Sequence, residues 1–149
     1  MKSMFEKGTL EEVTSRVGAL TPRTAPLWGK MSVAQMLAHC AITLEVASGK
    51  RVARRLLIGR LIGPFFRKRY FDDSEFTRHS PTHPTFVVAD ERDFTAEKER
   101  VLRLAREYAL GGEAGCTTRP HAFFGTLTPA EWGIGMYKHL DHHLRQFGA

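Results

Sequence analysis

The stretch LTPAEWGIGMYKHLDHHLRQFG, residues 127–148, holds the best-marked helix start in the chain and three closely spaced histidines. Thr128 and Glu131 have the spacing of a capping box, in which each side chain satisfies a backbone donor of the first turn. Pro129 takes the first helical position, and Leu127 can staple onto Trp132. At about 100° per residue, Trp132, Met136, His139 and His143 share one stripe, flanked by Leu140, Leu144 and Phe147. Lys138, Asp141 and Arg145 lie opposite, with His142 at the boundary. Two imidazoles therefore sit where a core belongs, which costs free energy unless their nitrogens find partners. Side chains at i and i+4 start about 5–6 Å apart, which suits two imidazoles on one metal ion. Hydrogen-bonded core histidines are the plainer alternative.

Working back from that stretch, three more helices can be read. TLEEV (9–13) offers Thr9 and Glu12 as a capping box, followed by Leu10, Val13, Val17 and Leu20 at helical spacing. SVAQMLAHC (32–40) repeats the box with Ser32 and Gln35 and has a wide apolar face from Val33 to Leu44, with Gly49 as a stop. DFTAEKERVLRLAREYAL (93–110) places Val101, Leu104, Ala105 and Tyr108 on one side, with Glu99 and Arg103 one turn apart. Between the second and third of these helices lie residues 50–90, where Gly59, Gly63, Pro64, Pro81 and Pro84 argue for an irregular crossover. TFVVA (85–89) is a candidate short strand. The expected fold is all-α: a four-helix bundle in a single domain, residues 1–149, with one long irregular crossover between helices 2 and 3.

His39 supplies a third imidazole from the flank of the second helix's apolar face. Three histidines leave coordination positions open, the mark of a reactive site. Imidazole suits zinc, nickel, iron or copper. No Glu-x-x-His pair and no His-Glu-x-x-His motif occurs, which argues against the di-iron carboxylate bundles and the common metalloproteases. His79 and His83 are four apart, but Pro81 between them makes them loop histidines. Cys40 reads as core, and Trp28 and Trp132 as core anchors. His121, just before the last helix, is the candidate catalytic side chain, placed to reach the mouth of the bundle.

Composition narrows the function classes. Hydrophobic residues are 42% and charged residues 26% of the 149, the balance of an ordinary globular domain. Two cysteines build no disulfide framework, so a reduced cytoplasmic setting is expected. The opening MKSMFEKGTLEE has no apolar run, so no signal peptide is read there. LLIGRLIGPFF (56–66) is too short and too interrupted for a transmembrane segment, and it carries enough apolar surface to suggest a homodimer. The net charge of +6 is concentrated around that run, which could meet an anionic surface, but no motif supports specific nucleic-acid readout.

WGKMSVAQMLAHC (28–40) together with HAFFGTLTPAEWGIGMYKHLDHHLRQFG (121–148) resembles the DinB-like superfamily of metal-binding four-helix bundles, more closely a branch with no assigned function. FTRHSPTHPTFVVADERDF (76–94) is similar to the connection in that family. The resemblance implies one divalent transition metal, zinc or nickel ahead of iron, held by His39, His139 and His143. It further implies a small-molecule substrate and a low-molecular-weight thiol as co-substrate, since some members are thiol-dependent transferases. A metal-dependent hydrolase would use the same ligands, and a non-catalytic metal or small-ligand binder is the remaining alternative.

Overall fold

A computed structural model describes residues 1–149. It is all-helical: α1 (Thr9–Ala19), α2 (Val33–Ala47), α3 (Leu57–Tyr70), α4 (Phe94–Gly111) and α5 (Pro129–Gln146), with single 3-10 turns at Pro84–Phe86 and Glu113–Gly115. The helix α2 packs on α4 and α5, and α1 packs on the same two, so these four close into a bundle. Their facing sides form one apolar core that includes Val13, Met36, Leu37, Leu44, Val101, Leu140 and Leu144.

Two of the three expected capping boxes form. Ser32 Oγ accepts from Gln35 N while Gln35 Oε1 accepts from Ser32 N, and Thr128 and Glu131 exchange the same pair of bonds. The box at Thr9 does not form. Gly8 is the cap, with a left-handed φ of 86° that favours glycine, and Thr9 is already helical and buried. Glu12 instead accepts from Lys2 Nζ and Tyr137 Oη. On α4 a lone Asp93 caps Ala96 N, and the expected Glu99–Arg103 pair gives way to Arg103 with Glu107, 3.8 Å apart.

The crossover departs most from expectation, because residues 57–70 are helical despite Gly59, Gly63 and Pro64. Proline removes one rung of the ladder but leaves the helix continuous. The glycines are there for close approach: a Cβ at Gly63 would lie 2.5 Å from the Phe123 carbonyl oxygen, and one at Gly59 2.7 Å. Only glycine lets α3 lie this close to the 121–125 turn. Arg67 then grips both Glu131 oxygens at 2.7 Å, so the carboxylate that caps α5 also fastens α3. The candidate strand at 85–89 is absent. His83 caps the 3-10 turn there by accepting from Thr85 N.

Candidate metal centre

The bundle brings together His39 of α2 with His139 and His143 of α5, their ligand atoms all within 4.8 Å of one another. His39 and His143 are buried, and His139 is half-buried. The three are placed to hold a metal ion.

The neighbours of His39 and His143 fix which nitrogen of each ring carries the proton. His39 Nδ1 lies 2.9 Å from the Phe86 carbonyl, which can only accept, so Nδ1 donates and Nε2 keeps a lone pair. Gln146 Nε2 donates to the Trp28 carbonyl at 2.7 Å, which turns Oε1 towards His143 Nδ1 at 2.9 Å. His143 therefore also presents a bare Nε2. Thr43 gives its hydroxyl proton to the Cys40 carbonyl, and its lone pairs face His139 Nδ1 at 3.4 Å. His39 Nε2 and His139 Nε2 are 3.0 Å apart. With both Nδ1 atoms protonated, that contact sets lone pair against lone pair, and a cation among the rings turns the repulsion into attraction. Oxygen partners behind each ring are the usual support for histidine ligands.

Electrostatics point the same way. Burial pushes His143 down to about 3 and His139 well below the ordinary imidazole range, and the neighbouring rings add to both shifts. His39 is lowered by burial too, partly offset by its bond to Phe86. Three neutral imidazoles are the donor set that zinc, nickel or iron accepts.

The other histidines divide cleanly. His142 is outside the cluster, edge-on to Trp28 at 5.8 Å, and lines a cleft of about 520 Å³ with Phe76, Arg78, Lys138 and Arg145. Its ring packs 5.2 Å from that of His143, so the cleft and the cluster share a wall. Trp28 is thus a cleft residue, beneath the Arg78 guanidinium at 4.3 Å, whereas Trp132 is core. His79 sits in an exposed loop with φ 61°. His121 lies between Phe124, Trp132 and Tyr70, with ring centroids 5.0, 5.3 and 6.3 Å away. Its Nδ1 accepts from Phe123 N and Phe124 N, and burial lowers its pKa to about 4. Beside it, Trp132 Nε1 is a buried donor with no partner. Cys40 is core, its thiol pushed up by burial.

Thr43, Gln146 and the Phe86 carbonyl, which back the three rings, are not evident as site groups in the sequence. Gln146 had a signal, lying three residues beyond His143 on the same helix, whereas Thr43 serves His139 from a different helix and its spacing from His39 does not show this. Phe86 had none, because a backbone carbonyl is not written in a residue type.

A helical bundle with three inward-facing, oxygen-backed imidazoles defines the class of molecule. The chain belongs to the family described as "Protein of unknown function (DUF1569)", which matches residues 3–149. No curated protein and no solved structure matches it.

Proposed function

We propose that this protein is a metal-dependent enzyme of the DinB-like type, a thiol-dependent transferase acting on small electrophiles, with His39, His139 and His143 as ligands. One observation carries the reading: three imidazoles converge, and each has its Nδ1 set against an oxygen. A divalent transition metal bound there, zinc or nickel ahead of iron, would supply Lewis acidity that makes a thiol or water acidic near neutral pH.

The chain's own groups prepare that chemistry. Phe86, Thr43 and Gln146 hold the three rings in the ligating tautomer. The cleft that shares the His142 wall with the cluster offers room for a small substrate, bounded by the aromatic faces of Trp28 and Phe76 and the cation of Arg78. His121 has its Nδ1 occupied as an acceptor, so the neutral ring keeps its proton on Nε2. That tautomer supports orienting a substrate by donation rather than removing a proton from it.

The test is elemental analysis of natively purified protein and of alanine variants. About one equivalent of metal per chain is expected, lost in His39→Ala, His139→Ala and His143→Ala and kept in His79→Ala and His142→Ala. Retention of metal by His139→Ala would sink the ligand assignment. Metal-loaded protein is then offered thiols with electrophiles, and separately esters. Ester turnover alone would move the reading to a hydrolase, and metal without turnover to a binding protein.

A further inference from the structure

Six large apolar side chains stand in water on a single helix. Leu57, Ile58, Leu61, Ile62, Phe65 and Phe66 of α3 are all exposed, Phe65 at 83% and Leu61 at 75%. At about 100° per residue they sweep one half of the helix surface. The other half is the one that Gly59 and Gly63 press against Phe123. The helix cannot roll to hide the stripe, because any side chain turned inward would meet the Phe123 backbone, and Arg67 is locked on Glu131.

Charge surrounds this face. From Lys50 to Phe71 there is no acidic residue. The ion pairs of the segment are Lys50–Glu107, Arg51–Glu45 and Arg67–Glu131. Arg54, Arg55, Arg60, Lys68 and Arg69 remain, all exposed and in none of these ion pairs; Asp72 sits beside Lys68 and Arg69 but is bonded to Ser74. Arg54 and Arg55 precede the apolar stripe, and Lys68 and Arg69 close it.

We infer that α3 docks this protein on an anionic phospholipid bilayer, lying flat in the headgroup layer with its apolar half towards the acyl chains and its cations on the phosphates. The match is chemical on both counts: apolar area for the lipid tails, and unpaired cations for the surface charge. The helix lies on the membrane and does not cross it, since no helix here is long and apolar enough to do so. A second copy of the chain, the homodimer expected from sequence, is the competing occupant. An antiparallel pairing of two α3 helices would set Arg54 and Arg55 against the partner's Lys68 and Arg69, with no carboxylate in the segment to offset them. Nucleic acid would satisfy the cations but leave six apolar side chains in water.

The experiment is co-sedimentation of the full-length protein with vesicles of phosphatidylcholine alone and of phosphatidylcholine mixed with phosphatidylglycerol. Binding to the mixed vesicles is expected, weakening with salt, with little on phosphatidylcholine. Each cation near such a surface contributes roughly fivefold in partitioning. The double variant Lys68→Glu/Arg69→Glu should therefore lose about twentyfold or more, and Leu61→Asp/Phe65→Asp should lose at least as much. All four side chains are exposed, so unchanged melting curves will show that both variants fold. Phe65→Trp should shift its emission to the blue on mixed vesicles only. Equal binding to both lipid compositions, or unaltered binding by the two doubles, would overturn the inference. So would a solution dimer that Leu61→Asp/Phe65→Asp dissociates, or duplex DNA binding that this variant leaves intact in the absence of vesicle binding.

Discussion

The helices α2 and α3 are nearly equal in length and both rich in apolar residues, yet α2 buries thirteen of its fifteen residues and α3 buries only Gly59 and Gly63 of its fourteen. The difference lies in their neighbours. α2 is walled by α4, α5 and the Pro84–Phe86 turn, and its small residues Ala34, Ala38, Ala41 and Ala47 let those walls close in. α3 meets the 121–125 turn through its two glycines and is otherwise held by Arg67 on Glu131 and by Tyr70 on Phe124, so its apolar half has no facing surface. Apolar content makes burial favourable, but only a facing surface can deliver it. Polar groups follow the same logic. His39 is buried in α2 with its Nδ1 proton taken by the Phe86 carbonyl, whereas the cations of α3 remain in water.

The contrast can be broken most directly by deleting the same atoms from each helix. Leu44→Ala, at a fully buried site, should cost about 2–5 kcal/mol in chemical denaturation. Leu61→Ala, at an exposed site, should change stability by less than about 0.5 kcal/mol. Comparable losses would mean that α3 is packed against something in solution.

A smaller effect sharpens the role of the glycines. In an open helix, glycine to alanine stabilises by roughly 1 kcal/mol. Gly63→Ala should instead destabilise by about 1–3 kcal/mol through overpacking against Phe123. Hydrogen exchange should show the loss in residues 57–70 before it appears in α2. A net gain in stability would refute the close approach.

The smallest effect tests the seam between α3 and the bundle, where His121 sits between Tyr70 and Trp132. Its folded pKa of about 4 lies below its ordinary value of 6.5, so the unfolded chain binds more protons in that window. Stability from keeping this ring neutral is fully present above pH 6.5 and falls as pH drops towards 4. Between pH 6.5 and 5 the loss should be roughly 1–2 kcal/mol. Denaturation midpoints of His121→Gln should fall less steeply over that range than those of the wild type, and those of His79→Gln should track the wild type.

What could be read from the sequence was what is settled locally. The starts of α2 and α5 were legible because a capping box closes within four residues, and the His139–His143 pair because helical spacing alone brings it together. His39 was found by the face it occupies. The Thr9 box failed because Gly8 offers a cheaper cap and the core claims Thr9. Glycine and proline are helix breakers in isolation, so the sequence of α3 predicts an irregular crossover. Their tolerance here depends on Phe123, sixty residues beyond Gly63, and that pairing leaves no periodic trace. The oxygen behind His39 was hidden for the same reason.

The Gln146 amide carries a constraint of inheritance. One end orients His143, the other holds the Trp28 carbonyl, and a Cβ at Gly29 would press on the same nitrogen at 2.6 Å. Glutamate at 146 would forfeit the donor to Trp28, and any larger residue at 29 would push the amide out of place. A loop glycine more than a hundred residues from the histidine it serves is thus bound to the fate of that histidine, and mutational drift at 29, 143 and 146 can proceed only in concert.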